Sequence, residues 1–346
     1  MKKSFLWAPC LALLFAASCS NDFEIAAPWQ EIPVVYGILS PNDSAHYLRI
    51  EKAFLDPSAS AFTVAKIADS LYYAENSISV FLDRVSNGQS YQLRRVNGTL
   101  EGYPRQDGTF ATEPNWLYKI KDSEFGPGGL ADGETYRLRI QRNDGRPPIT
   151  AETRLPKNLY IVRPDTFTAG TPISLAGNPT TISWRCEEQA ALFNVTLDIR
   201  YRELDENGNL VASKKISWLA ATNVRREDTP LGGTGLYRAE TKIAPSAFYK
   251  VLVDSIAPSN TLRRFFNGID IRFEGGGAEI VQFIDVQAVN AGLTGAEVVN
   301  TYTNLSEGLG VFSSKKSWAY FGFRPTPVTL DSMNNNLSTR ALNFKG

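Results

Sequence analysis

Apolar and polar residues alternate with a period of two through most of this chain. Tyr136, Leu138 and Ile140 alternate with Arg137 and Arg139, and Val195, Leu197, Ile199 and Tyr201 alternate with Thr196, Asp198, Arg200 and Arg202. A strand turns successive side chains to opposite faces, so this spacing sets the apolar residues against a core and the charged ones in water. The segments 32–39, 46–53, 77–82, 90–96, 269–273 and 281–289 read in the same way. Between strands, Asn87-Gly88, Asp144-Gly145 and Asn207-Gly208 supply residues that tolerate the positive φ of tight hairpins. The pattern predicts antiparallel sheets packed as sandwiches. Two segments depart from it: Val64, Ile67, Ala68 and Leu71 fall at helical spacing, as do Phe248, Leu252 and Ile256 after Pro245. Proline is favoured in a first helical turn, so short helices covering a sheet edge or end are expected there.

At about 100–200 residues per domain, a chain of 346 residues has room for two. A boundary fits best near Leu155-Pro156-Lys157-Asn158. Before it, the strand 136–140, the hairpin Asn143-Asp144-Gly145 and the return strand 151–153 resemble the last strands of an immunoglobulin or fibronectin type III module. After it, Ile182-Ser183-Trp184 followed by 195–201 resembles the second and third strands of another. The expected fold is mainly β: two antiparallel β-sandwich domains of immunoglobulin or fibronectin III type, residues 31–155 and 159–346, with one or two short helices.

The N-terminus has its own logic. Lys2 and Lys3 precede an apolar run of 13 residues, Phe5 to Ala17, which is short of the ~20 residues a bilayer span needs. Residues 1–18 therefore read as a secretory signal peptide. Ala16-Ala17-Ser18 before Cys19 resembles a bacterial lipobox, with Ala16 where leucine is usual, and marks Cys19 for acylation. Ser20-Asn21-Asp22-Phe23-Glu24 looks like the short acidic signal that sends lipoproteins of Bacteroidota to the cell surface, within a tether 19–30. Basic and acidic residues balance at 36 each, so no field draws this chain to nucleic acid.

Catalytic constellations are sparse. His46 is the one histidine, and it alternates with Leu48 and Ile50 on the inward side of a strand. No nucleophile motif such as Gly-x-Ser-x-Gly accompanies it. Ser313-Ser314-Lys315-Lys316 has Ser-x-x-Lys spacing but lacks the partner motifs of penicillin-recognising enzymes. Asp205-Glu206-Asn207-Gly208-Asn209 gathers oxygen ligands without the glycine and glutamate positions of a calcium loop, and reads as a hairpin turn. Glu187-Glu188 is a loop after a strand, and nothing selects a carboxylate pair for glycoside hydrolysis. Cys186 alternates with Trp184 and Ile182, the setting of a buried small hydrophobe. No catalytic residue, cofactor or metal site is expected. Contacts to a partner are expected from aromatics near loop and element ends, among them Tyr103, Tyr118 and above all Tyr72, Tyr73 and Trp116. Arg263, Arg264 and Phe265, in Arg263-Arg264-Phe265-Phe266-Asn267-Gly268, form the most partner-like cluster.

The lipobox-like segment, the acidic tether, Val34-Val35-Tyr36-Gly37 and Leu305-Ser306-Glu307-Gly308-Leu309-Gly310-Val311-Phe312 together resemble a family of surface lipoproteins of Bacteroidota. That family has a domain of unknown function and is often encoded beside TonB-dependent outer-membrane transporters. The resemblance implies a lipid-anchored, surface-exposed outer-membrane protein with β-sandwich domains and transfers no catalytic residue. The expectation is a non-enzymatic binding or accessory module for a transporter or for its glycan or peptide ligand. A structural or adhesive envelope protein is the alternative, and a glycan-active hydrolase a more distant one. Gly308 and Gly310 are expected to bend or bulge the chain beside an apolar strand.

Overall fold

The computed structural model describes residues 31–54, 61–165, 171–292 and 301–345. The signal segment, Cys19 and the export residues Ser20 to Glu24 lie outside the described residues. The fold is mainly β, with sandwich-like sheets and few short helices.

In the N-terminal half, β1 (Glu31–Leu39), β2 (Ala45–Phe54), β3 (Ile78–Arg84), β4 (Gln89–Asn97), β5 (Trp116–Lys121), β6 (Thr135–Arg142) and β7 (Ile149–Arg154) form one antiparallel run in the order β1-β2-β5-β4-β3-β6-β7. β4 turns the corner: Gln89 to Leu93 pair with β3, whereas Arg94 to Asn97 pair with β5. The sheet thereby folds over on itself. Its inward side chains, including Val35, Leu48, Ile50, Val80, Leu82, Tyr136 and Leu138, make one buried core. The hairpins fall at the expected turns, where Gly88 and Gly145 take φ of 71° and 83°.

The C-terminal half holds β8 (Leu159–Arg163), β9 (Pro172–Ile173), β10 (Thr180–Cys186), β11 (Leu192–Leu204), β12 (Leu210–Arg225), β13 (Tyr237–Ile243), β14 (Arg263–Gly276), β15 (Leu309–Pro325) and β16 (Phe344–Lys345). A three-stranded sheet, β13-β10-β8, shares a core with the long strands β11 and β14. Trp184 is central to it, with ring centroids 5.2 Å from Phe193 and 4.8 Å from Phe273. Cys186 is buried in the same core, and burial pushes its thiol up to about 12. It is an inert packing residue.

β15 joins the halves. Leu309 to Ser314 run parallel to β1, and Lys315 to Phe323 run antiparallel to β14, so both halves share a 13-stranded sheet. Leu305 and Phe312 complete the N-terminal core, which is therefore not contiguous in sequence. Gly308 and Gly310 have φ of 99° and 110°. A Cβ on Gly310 would overlap the carbonyl oxygen of Val35. These glycines bring β15 close against β1 in a conformation that side chains rarely adopt.

The helices divide between expected and unexpected. α1 (Ala61–Val64) and α2 (Ala68–Leu71) are two single turns where one short helix was predicted. α3 (Pro245–Ser255) places Phe248 and Leu252 in the C-terminal core, and Ile256 follows them there. The segment 281–289, predicted as a strand, lies instead within α4 (Ala278–Gly292). Gly275 to Gly277 end β14, and Ile280, Phe283 and Ile284 then recur at helical spacing. α4 sits against β15, where Ser313 Oγ donates to the Glu279 carboxylate at 2.8 Å. α5 (Pro327–Asn335) starts at Thr326, whose side chain accepts from the Thr329 amide, with proline in the first turn.

Candidate functional site

β1 lies well inside the large sheet, yet part of its outward face is open. Val35 and Leu39 point into the core, so Tyr36 and Ile38 point out, and they remain 43% and 42% exposed. With Tyr47 of β2 they floor a trough of about 790 Å³, within the size range of ligand sites. Phe283 of α4 meets Tyr36 edge-on at 6.2 Å on one side. On the other, Tyr103 lies 4.7 Å from Tyr47, ring to ring, and is 54% exposed. Asn42, Asp43, Ser44 and Lys315 close one end.

The loop that carries Tyr103 is pinned. Asn115, fully buried, donates to the Tyr103 carbonyl at 2.7 Å and accepts from Arg49 at 3.0 Å. Arg49 and Arg105 both bind Glu51, at 3.0 and 2.7 Å, and Arg105 also donates to the Tyr72 hydroxyl at 3.1 Å. Tyr47 donates to Glu101 at 3.0 Å, and the Lys119 ammonium pairs with the same carboxylate. The Lys119 bond, aided by Tyr47, holds Glu101 below the usual carboxylate range, and Glu101 in turn raises Lys119. Burial raises the Tyr47 hydroxyl despite the opposing Lys119. These contacts match the charges internally and leave apolar rings facing solvent. The arrangement is suited to stacking and apolar contact.

His46 lies beneath this surface, buried, with Nε2 3.1 Å from Asp122 and its ring 5.7 Å from that of Phe125. Asp122 also accepts from the Leu130 amide at 2.9 Å, so the pair fastens β2 to the 126–130 turn. The Nδ1 atom is buried with no hydrogen-bond partner. It is an inward strand histidine.

The residues expected to touch a partner scatter. Tyr72 and Tyr73 are buried, the first bound to Arg105 and the second in the N-terminal core, where burial and then Glu31 raise its hydroxyl. Arg264 is buried too, donating to Glu203 at 2.9 Å and to the Leu342 carbonyl at 2.7 Å. These three are corrections, because each is used inside the fold. Trp116 is half-buried beneath the Arg95 guanidinium, 4.5 Å from its ring. Arg263 reaches back to the carbonyls of Asp205 and Glu206 at the β11–β12 hairpin. In that hairpin Asp205 accepts from the Asn209 amide at 2.7 Å, which makes the oxygen-rich segment a capped turn. Ser313 and Ser314 are buried on β15, and Lys316 pairs with Asp132, so the Ser-x-x-Lys spacing falls on a strand. Phe265 stays half-exposed and lines a second cleft with Phe266. The trough floor was missed, although the parity of Val35 and Leu39 already turns Tyr36 and Ile38 outward.

No protein-family model matches the chain, and no curated protein matches it. Among solved structures, the C-terminal globular domain of an oligosaccharyltransferase from Pyrococcus abyssi aligns at 12% identity with a TM-score of 0.26, over 71% of this chain and 46% of that one. This chain thus spans less than half the length of that chain, and a likeness so slight carries no argument about fold or activity.

Proposed function

We propose that this chain is a surface lipoprotein of the outer membrane, anchored by acyl chains at Cys19, that acts as a non-enzymatic binding module. Its trough captures a glycan or peptide segment, as an accessory to an outer-membrane transporter. The observation that carries this reading is the open apolar floor of Tyr36 and Ile38, with Tyr103 held in place beside it. Exposed aromatic patches of this kind mark interaction sites, and rings positioned before binding lose little freedom on it. The lipobox-like Ala16 to Cys19 supports anchoring, since each buried acyl methylene contributes about 0.8 kcal/mol.

The test is a mild-detergent pull-down of tagged protein from native outer membranes, read by mass spectrometry, beside binding of a soluble form to glycan and peptide panels. Wild type is expected to retain a stoichiometric barrel protein or one ligand class. Cys19→Ala should leave the membrane fraction, and Tyr36→Ala with Tyr103→Ala should keep the anchor but weaken capture about tenfold or more. Turnover of any panel member by the purified protein would overturn the non-enzymatic reading.

A further inference from the structure

The sheet has a second opening, where β14 changes partner. β14 pairs with β15 as far as Ile269, and β16 takes that place at Arg264 and Phe265. A cleft of about 320 Å³ lies at the switch. Two irregularities shape it. The register of β11 and β14 shifts between Arg200 and Tyr201, leaving Asn267 as an extra residue, and that of β14 and β15 shifts between Ile269 and Ile271 opposite Gly322, whose φ is 84°. Bulges re-aim side chains, and here the shift turns Arg264 and Phe266 inward and leaves Phe265 facing out.

The outward row that results is Arg202, Phe265 and Lys345, directly opposite one another on β11, β14 and β16. At about 4.8 Å between strands, the two cations flank the ring within roughly 10 Å. Arg324, just after Phe323 on β15, lines the same cleft. Among the described residues none of these three cations forms an ion pair, and no carboxylate lines the cleft. Neighbouring cations are engaged: Arg200 pairs with Asp270 at 2.7 Å, Arg272 with Asp198 at 2.8 Å and Lys214 with Glu203 at 2.8 Å, and Arg263 donates to the carbonyls of Asp205 and Glu206. Asp270, the acid on the same face, also accepts the Gly322 amide at 2.9 Å and is committed. Like charges gathered without a counter-ion destabilise a sheet surface. The apolar side of the cleft is Phe265, Phe266, Pro325 and Leu330, with Phe266 stacked on Phe344 at 4.4 Å.

We propose that this cleft binds a phosphate monoester carried on an apolar or aromatic body. Two guanidinium forks and an ammonium exceed what one carboxylate neutralises, whereas a monoester carries about −1.5 to −2 charges and three acceptor oxygens. The phenylalanine wall then takes the body of the ligand. The site is separate from the trough and stands or falls independently of it. Two sources have this chemistry: a soluble ester and a lipid headgroup.

The experiment uses the chain without its signal segment. Phenyl phosphate, inorganic phosphate and benzoate are titrated by calorimetry, and phosphatidylcholine vesicles with and without phosphatidic acid are tested by co-sedimentation. Phenyl phosphate is expected to bind better than either simpler ion. Arg202→Gln and Arg324→Gln should each weaken it about tenfold, and the pair should abolish it. Arg137→Gln, on the exposed face of β6 in the other half, should leave phenyl phosphate binding unchanged. The Arg202 and Arg324 variants should keep the wild-type urea midpoint, because neither arginine has an ion-pair partner among the described residues. Binding confined to phosphatidic acid vesicles assigns the lipid source, and binding of the soluble ester alone assigns the other. Benzoate bound as tightly as phenyl phosphate, binding unmoved by the double variant, or no binding in either arm would overturn the proposal.

Discussion

The trough over β1 and β2 and the cleft at the β14 partner switch are opposites. In the trough the charges around Tyr47 and Tyr103 are matched, Lys119 to Glu101 and Arg105 to Glu51, and apolar surface is left open. In the cleft Phe266 is stacked on Phe344, Phe265 stays half-exposed, and the lining cations have no acidic partner among the described residues. What each surface leaves unmatched defines what it can hold. Association at the first rests on apolar area and responds weakly to salt, whereas association at the second rests on charge and is screened by it. The two differ because of where they sit on the sheet. The trough is floored by regular strands, whose alternation exposes a chosen set of side chains, and the cleft arises where register breaks.

Because β15 runs through both regions, the harshest way to break the comparison is at their junction. Gly310→Ala would force a Cβ onto the Val35 carbonyl at a φ of 110°. Strain and overlap together should cost about 4 kcal/mol or more. Urea unfolding should show the loss, and both binding surfaces should fail together. A midpoint equal to that of wild type would mean that β1 and β15 are not held this closely.

A smaller effect is expected from the inward side of the bulge. Arg264→Met removes the partner of Glu203 in a buried pair, although Lys214 still reaches that carboxylate at 2.8 Å. A loss of about 3 kcal/mol is expected at neutral pH. Burial pushes Glu203 up, but the Lys214 and Arg264 bonds outweigh it and hold the carboxyl below its ordinary value. A depressed carboxyl stabilises the fold above its unfolded pKa, and that contribution fades as the pH falls through the folded value. The difference between Arg264→Met and wild type should therefore shrink in acid, below the ordinary glutamate range near pH 4. A penalty that stayed constant into acid would show that the pair does not govern it.

Much of the fold could be read from alternation, and the failures share one cause. β1, β2, β6 and β11 follow from side-chain parity alone, and Gly145 and Gly208 mark the turns after β6 and β11. The 281–289 segment misled because its β-branched residues suggest a strand, whereas Gly275 to Gly277 and the Ile280, Phe283, Ile284 spacing point to the helix that forms. Pro327 after Thr326 was a legible start for α5 that went unread. The sharing of β15 between halves was not legible, because pairing between residues 275 positions apart, such as Val34 and Leu309, leaves no local trace. The same holds for the sites. Phe265 and Tyr103 were picked out as aromatics at element ends, but Arg202, Arg324 and Lys345 meet only through tertiary register. Arg264 looked available in sequence, and one bulge turns it inward.

The finest test compares two arginines two residues apart on one strand. Arg200 and Arg202 share a face of β11, but Arg200 serves Asp270, a largely buried acid, and Arg202 has no acidic partner among the described residues. Arg200→Gln removes a charge-assisted bond and leaves Asp270 with the Gly322 amide alone, so a loss of about 1–2 kcal/mol is expected. Arg202→Gln breaks no such bond and relieves repulsion from Lys345, so its urea midpoint should equal or slightly exceed that of wild type, within about 0.5 kcal/mol. Equal losses at both positions would show that Arg202 is matched inside the fold. The contrast between a compensated surface and an uncompensated one would then fail at the residue on which it most depends.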